Sequence, residues 1–359
     1  MTSSALGRLQ PPARTAPRFL FVHVNKRCNL KCLHCDFWRL NDDDKRNYLS
    51  WPRKHEVIRE FAELNPRGSV VTCGGESMLD LEDYFAIPIA CRQLGLKSLS
   101  VVNGTRIRDE ALADRMIREG PHEISISLNS HRPELHDETR GVEGSFKKAV
   151  AAVRLLLEAR HRHPGSTTRV YVMGLIFDQN YRELDAFYDF VLNEVGADKL
   201  KLNFLQPSFG HSSPDDEFFA RHCRLDPDEL LRSIEYCDRK YRLKLNPRWK
   251  RAVHMYFTSL LASGETSRGW QARTVTSEHI CNTYERNIMV DHYGVARLCF
   301  STAFPGARLQ VYGDLRRFWE GSDFIRERMR KCNRYCGISH SVRRESATLR
   351  LGDAASAYI

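Results

Sequence analysis

Two hydrophobic rhythms alternate along the first 205 residues. Runs of β-branched and apolar positions predict strands over 19–24, 69–73, 98–102, 123–128, 170–176 and 199–205. Between them, apolar residues recurring every three or four positions predict helices over 51–64, 78–94, 110–119, 145–162 and 181–195. Such alternation implies parallel strands joined by helical crossovers, in a sheet that is open or closed into a barrel. Six units are too few for a closed eight-fold barrel. The expected core is therefore an α/β fold whose ligands sit at the carboxyl ends of the strands.

The rhythm then changes. Residues 207–216 read as loop and 226–242 as helix, and 246–273 shows no dominant period. Short strands over 287–291 and 295–300 flank His292-Tyr293-Gly294 and predict a β-hairpin. A helix over 315–329 follows, and the tail after Ser339 is polar and reads as loose. These shifts divide the chain into a flexible N-terminus (1–17), the barrel (18–206), a bridging region (207–275), a small C-terminal unit (276–338) and a tail (339–359).

Of the 359 residues, 42% are hydrophobic and 28% charged, enough apolar material for a globular core. The formal net charge of +10 raises nucleic acid as a partner. The positive residues are scattered among acids, however, as over 326–334, and a basic face for an acidic redox donor fits them at least as well. No apolar run reaches membrane-spanning length; 150–157 is broken by Arg154. Arg8, Arg14 and Arg18 precede no signal-peptide core, and Pro11, Pro12 and Pro17 interrupt any amphipathic helix, so the expected location is cytoplasmic.

Cysteine usage changes the picture most. Eleven cysteines in a chain this long point to metal rather than to a disulfide scaffold. Cys28, Cys32 and Cys35 lie just after the first predicted strand, where a loop would aim three sulfurs into the mouth of the sheet. A zinc site would want a fourth ligand, and His34 is crowded between two cysteines. Three thiolates suit a 4Fe–4S cluster with one iron open to a small molecule. A second group, Cys281, Cys299, Cys332 and Cys336, suits either a fully ligated iron–sulfur cluster or a four-thiolate zinc site. Cys73 and Cys91 read best as buried free thiols, and Cys223 and Cys237 lie in the bridging region, where one could touch substrate.

The CxxxCxxC spacing of Cys28, Cys32 and Cys35 after the first strand resembles the signature of the radical S-adenosylmethionine (SAM) superfamily, which implies a partial (β/α)6 TIM-like barrel for the α/β core. Thr72-Cys73-Gly74-Gly75-Glu76 resembles its Gly-Gly-Glu motif, with Ser77 where the family usually has proline. Asn103, after the third strand, falls in the ribose-side loop; Ser127 and Arg140 fall in the fourth-strand motif. The resemblance implies SAM binding by Gly74, Gly75, Glu76, Asn103, Ser127 and Arg140. The C-terminal cysteines resemble the shortened SPASM, or twitch, domain, which implies an auxiliary 4Fe–4S cluster on Cys281, Cys299, Cys332 and Cys336. Their closing spacing, CxxxC, is wider than the family's commoner CxxC.

What this implies is an enzyme that takes an electron from flavodoxin or ferredoxin, cleaves SAM and abstracts hydrogen from an unactivated C–H. The expected substrate is a natural-product intermediate of sugar or aminocyclitol type, oxidised to a ketone. The alternative is a ribosomally made peptide that is crosslinked or epimerised. A different class, a non-catalytic iron–sulfur or zinc scaffold, would have no use for an open iron beside Gly-Gly-Glu. Substrate contacts are expected from Asn203 and Gln206, and from Tyr284, Arg286 and Asn287 after Cys281; His279 lies nearest that cysteine.

Overall fold

The computed structural model describes residues 16–40, 45–206, 217–262, 279–281, 283–300, 304–330 and 341–343. The core follows the expected alternation: β1 (Phe19–His23), α1 (Trp51–Leu64), β2 (Ser69–Cys73), α2 (Leu81–Gln93), β3 (Lys97–Val102), α3 (Glu110–Glu119) and β4 (Glu123–Ser127). It continues through α4 (Pro133–Arg140), α5 (Ser145–Arg162), β5 (Arg169–Ile176), α6 (Leu184–Asp189) and β6 (Lys199–Phe204). The six strands run parallel in sequential order and do not close, which makes the core a partial TIM-like barrel.

Alternation along each strand sorts its side chains to two faces. Leu20 and Val22 join the core under α1 and α2, whereas Phe19 and Phe21 meet Val71 and Leu99 on the inner face. On β6, Leu200 and Leu202 belong to the larger helix-side core, and Lys201 points inward to donate to Glu123 at 3.0 Å. The inner wall is thus apolar along β1–β3, while β4 and β6 bring polar groups such as Glu123 and Lys201 to it.

Beyond the barrel come α7 (Glu217–His222), α8 (Pro227–Lys240), α9 (Pro247–Ala262), β7 (His279–Cys281), α10 (Thr283–Arg286), β8 (Asn287–Val290), β9 (Val295–Arg297) and β10 (Ala307–Arg308). Two helices, α11 (Asp314–Gly321) and α12 (Asp323–Arg330), and β11 (Ser341–Arg343) complete the described chain. The hairpin expected after Cys281 is present as β8 and β9, but it does not form a sheet of its own. β8 pairs in parallel with β1, Phe19 opposite Asn287 and Val22 opposite Val290, giving a nine-stranded sheet. The tail expected to be loose contributes β11, antiparallel to β7. Among the described residues no helix is long and apolar enough to cross a membrane.

Candidate functional site

The chain leaves β1 at His23 and crosses the end of β2 before reaching the cysteines. Three backbone bonds lace it down: Val24 N–H to Cys73 O at 3.0 Å, Gly75 N–H to Asn25 O at 2.9 Å, and Glu76 N–H to Arg27 O at 2.7 Å. This closeness explains the glycine pair. A Cβ on Gly74 (φ +122°) would stand 2.4 Å from Asn25 O, and one on Gly75 2.0 Å from Arg27 O. Both glycines seat the cysteine loop.

Glu76, 2% exposed, ties that loop to β3. Its carboxylate accepts the Met78 N–H at 3.0 Å and the Asn103 N–H at 2.7 Å. Burial pushes its pKa up to about 7 against the pull of those donors. Asn103 in turn donates to Asn29 Oδ1 at 2.9 Å, and Asn29 donates to Thr105 Oγ1 at 2.7 Å, beside Cys28. Glu76 and Asn103, which the resemblance implies contact SAM, thus also make hydrogen bonds that hold the loop.

On its far side the loop rests on the end of α4. Lys31 N–H donates to Arg140 O at 3.1 Å and Leu33 N–H to Thr139 O at 3.0 Å. Gly141 (φ +64°) permits the approach, since a Cβ there would meet Lys31 O at 2.3 Å. The Arg140 guanidinium reaches Cys32 Sγ at 3.7 Å and donates to Asn129 Oδ1 at 3.0 Å. Ser127, half-buried, ends β4 beside Met173. The helix α4 was not anticipated; its eight residues are too few and too polar to show a period.

Cys28, Cys32 and Cys35 are thus brought together as free thiols. Burial pushes Cys28 and Cys35 up to about 12, and each also feels Cys32 as a like-charged neighbour. Among the described residues no three His, Cys, Asp or Glu side chains converge on a single-ion site. A 4Fe–4S cluster would take one thiolate on each of three irons and leave the fourth open. Around them Asn25 Oδ1, Ser77 Oγ, His34 Nδ1 and Arg140 Nε are buried without a partner among the described residues, donors and acceptors left for a polar ligand.

The second cysteine group is placed in part. Cys281 ends β7 just before α10 and β8; Cys299 follows β9, which returns antiparallel to β8. Both therefore lie toward the start of β8, at the end of the sheet opposite the Cys28–Cys35 loop. Cys332 and Cys336 lie outside the described residues. Phe300 sets its ring edge on Phe21 at 4.6 Å, inside the barrel.

The residues expected to contact substrate are spread over both ends of the sheet. Tyr284 is 2% exposed within the core, and the Arg286 carbonyl accepts the Arg18 N–H ahead of β1. Asn287 pairs with Phe19 at the start of β1, so all three residues sit at the end away from the cysteine loop. Asn203 is exposed on β6, where its Nδ2 lies 3.2 Å from Met173 Sδ, and Gln206 follows that strand. Cys91 and Cys237 are fully buried free thiols, and Cys73 is half-buried beside His23.

Comparison with known proteins agrees with this arrangement. Residues 22–191 match the model of the Radical SAM superfamily. The AdoMet-dependent heme synthase of Methanosarcina barkeri is 26% identical over 202 residues, 56% of this chain and 54% of the relative. The antilisterial bacteriocin subtilosin biosynthesis protein AlbA of Bacillus subtilis is 26% identical over 253 residues, 66% of this chain and 52% of that protein. The chain thus spans about half the length of these curated relatives. Streptococcus suis SuiB, solved with its precursor peptide SuiA, shares the fold at a TM-score of 0.57 and 15% identity, covering 84% of this chain and 64% of SuiB. The superfamily match spans the cysteine loop and just under half of the chain, on an open barrel that brings the three cysteines of that loop together; members of that superfamily use SAM and a 4Fe–4S cluster.

Proposed function

We propose that this chain is a radical SAM oxidoreductase that modifies a ribosomally made peptide. In this reading Cys28, Cys32 and Cys35 hold the SAM-binding 4Fe–4S cluster, and Cys281, Cys299, Cys332 and Cys336 hold a second one. The observation that carries it is the seating of three neighbouring thiols at the mouth of an open barrel. The cofactor pair supplies hydrogen abstraction from an unactivated C–H, and a second cluster supplies an acceptor for the electron released when the substrate radical is oxidised. The protein's own part is positioning and exclusion of water. Phe19, Phe21, Val71 and Leu99 form a dry wall on one side of the lumen. Lys201, paired with Glu123, and Tyr171 present polar groups from the other. Cys281 and Cys299 lie toward the start of β8, beside the start of β1, and Cys28, Cys32 and Cys35 follow the other end of β1. A substrate in the lumen would lie between them.

The peptide reading draws support from AlbA, whose alignment runs past the barrel, and from the SuiB fold. It replaces the sugar or aminocyclitol oxidation expected from the sequence. A second reading, oxidation of a tetrapyrrole, is favoured by the heme synthase relative and by a pre-heme d1 synthase 30% identical over 198 residues. The test is anaerobic incubation of the reconstituted protein with SAM, dithionite and either the peptide encoded beside its gene or Fe-coproporphyrin III. Loss of a hydrogen pair from the peptide supports the first reading. Conversion of the porphyrin alone replaces it with the second.

A further inference from the structure

Arg140 differs from the other residues around the cysteine loop in what its side chain touches. It is 9% exposed, at the end of α4, with Nη1 3.7 Å from Cys32 Sγ and Nη2 donating to Asn129 Oδ1 at 3.0 Å. Asn129 is itself fixed from three directions. Its backbone N–H donates to His136 Nδ1 at 3.1 Å, its Nδ2 donates to Thr139 Oγ1 at 3.0 Å, and its carbonyl accepts the Asn180 Nδ2 at 2.7 Å. The guanidinium is held by this buried network and, among the described residues, no carboxylate forms an ion pair with it. A full positive charge therefore faces a thiol sulfur at close range in a site shielded from water.

We propose that Arg140 is a positioning residue that raises the reduction potential of the cluster on Cys28, Cys32 and Cys35. The inference rests on the reading that these cysteines hold a cluster. An added electron puts negative charge on the ligand sulfurs as well as on iron. An N–H donor aimed at one sulfur, and a cation beside it, stabilise the reduced form more than the oxidised form. Screening is weak in a buried site, so the charge acts nearly at full strength. The sequence resemblance implied that this arginine contacts SAM; the geometry adds a role that operates before SAM binds.

The test is a redox titration of the reconstituted, SAM-free protein, followed by electron paramagnetic resonance. The relevant signal is the one missing from the Cys28→Ala/Cys32→Ala/Cys35→Ala variant. Arg140→Gln shifts its midpoint to a more negative potential and keeps its iron. Iron is kept because the loop's anchors on α4 are backbone carbonyls, not this side chain. Arg140→Lys, which retains the charge without the two-pronged grip, falls between. Asn129→Ala, which loosens the guanidinium, gives a smaller shift of the same sign. An unchanged midpoint in Arg140→Gln overturns the inference and leaves the cluster assignment standing. A signal that persists in the triple-alanine variant overturns the cluster assignment itself. Should Arg140→Gln take up no iron, wild-type midpoints in both Arg140→Lys and Asn129→Ala overturn the inference.

Discussion

Replacing Gly75 by alanine tests whether the glycine pair seats the cysteine loop. The new Cβ would stand 2.0 Å from Arg27 O, 2.6 Å from Arg27 C and 2.8 Å from Lys26 C, all backbone atoms. Carbon–oxygen contacts settle at about 3.3 Å or more. The two segments must therefore part by roughly 1.3 Å. That separation breaks or stretches the Gly75-to-Asn25 and Glu76-to-Arg27 bonds, now 2.9 and 2.7 Å. Two bonds at about 1 kcal/mol each, added to about 1–3 kcal/mol of overpacking, give about 3–5 kcal/mol. At about 2–4 °C per kcal/mol, the melting temperature falls by roughly 10 °C. Gly321 and Gly144 are the controls, since a Cβ at either meets nothing within 4 Å. Gly321→Ala should be near neutral, and Gly144→Ala (φ +73°) should lose about 1–2 kcal/mol from backbone strain alone. Thermal unfolding by circular dichroism, with iron content after reconstitution, reads the series. Gly75→Ala should also take up less iron, because the loop is displaced. If it melts with Gly321→Ala and binds the full complement, the seating argument is wrong.

Other consequences follow from single contacts. Burial holds His23 down to about 4 from 6.5, so the folded state resists its protonation. Stability from this residue is complete above pH 6.5 and is lost as pH falls toward 4, by about 3 kcal/mol; in urea titrations across that range His23→Gln flattens the slope, and an unchanged slope refutes the assignment. Glu60, 2% exposed on α1, accepts the Leu315 N–H of α11 at 2.9 Å and lies 3.7 Å from Arg53. Glu60→Ala leaves the buried Leu315 N–H at the start of α11 without its acceptor, while Arg53 keeps Glu56, costing about 1–3 kcal/mol in denaturant unfolding, whereas a loss well under 1 kcal/mol would place the contact in water. Because Cys28 and Cys35 are held near 12 as free thiols, cluster assembly must displace protons. Its rate at fixed iron and sulfide should climb with pH, and a flat profile would argue against protonated thiols.

Much of the barrel was legible because its elements are local and strongly patterned. The helices over 51–64, 110–119 and 145–162 have the expected bounds, each with an apolar stripe of several turns. The helix expected over 181–195 is instead α6 followed by a π-helical turn over 190–194, a local change in winding that an apolar period does not register. The helix expected over 315–329 divides at Ser322 into α11 and α12. The pairing of β8 with β1 joins segments far apart in sequence, and a short apolar strand carries no record of its partner. At the site, the grouping of Cys28, Cys32 and Cys35 was legible from their spacing in one short segment. The hydrogen bonds of Glu76, Asn103 and Arg140 were not, since each is made to a group supplied by another segment of the chain.

The central claim is that the loop after β1 holds a cluster that acts on SAM. It is tested most directly by iron and sulfide per chain, and by 5′-deoxyadenosine formed with SAM and dithionite, in wild type and in the Cys28→Ala/Cys32→Ala/Cys35→Ala variant. With two 4Fe–4S clusters, about eight irons fall to about four in the variant, and 5′-deoxyadenosine disappears. A variant that keeps its full iron and still forms 5′-deoxyadenosine would contradict the account.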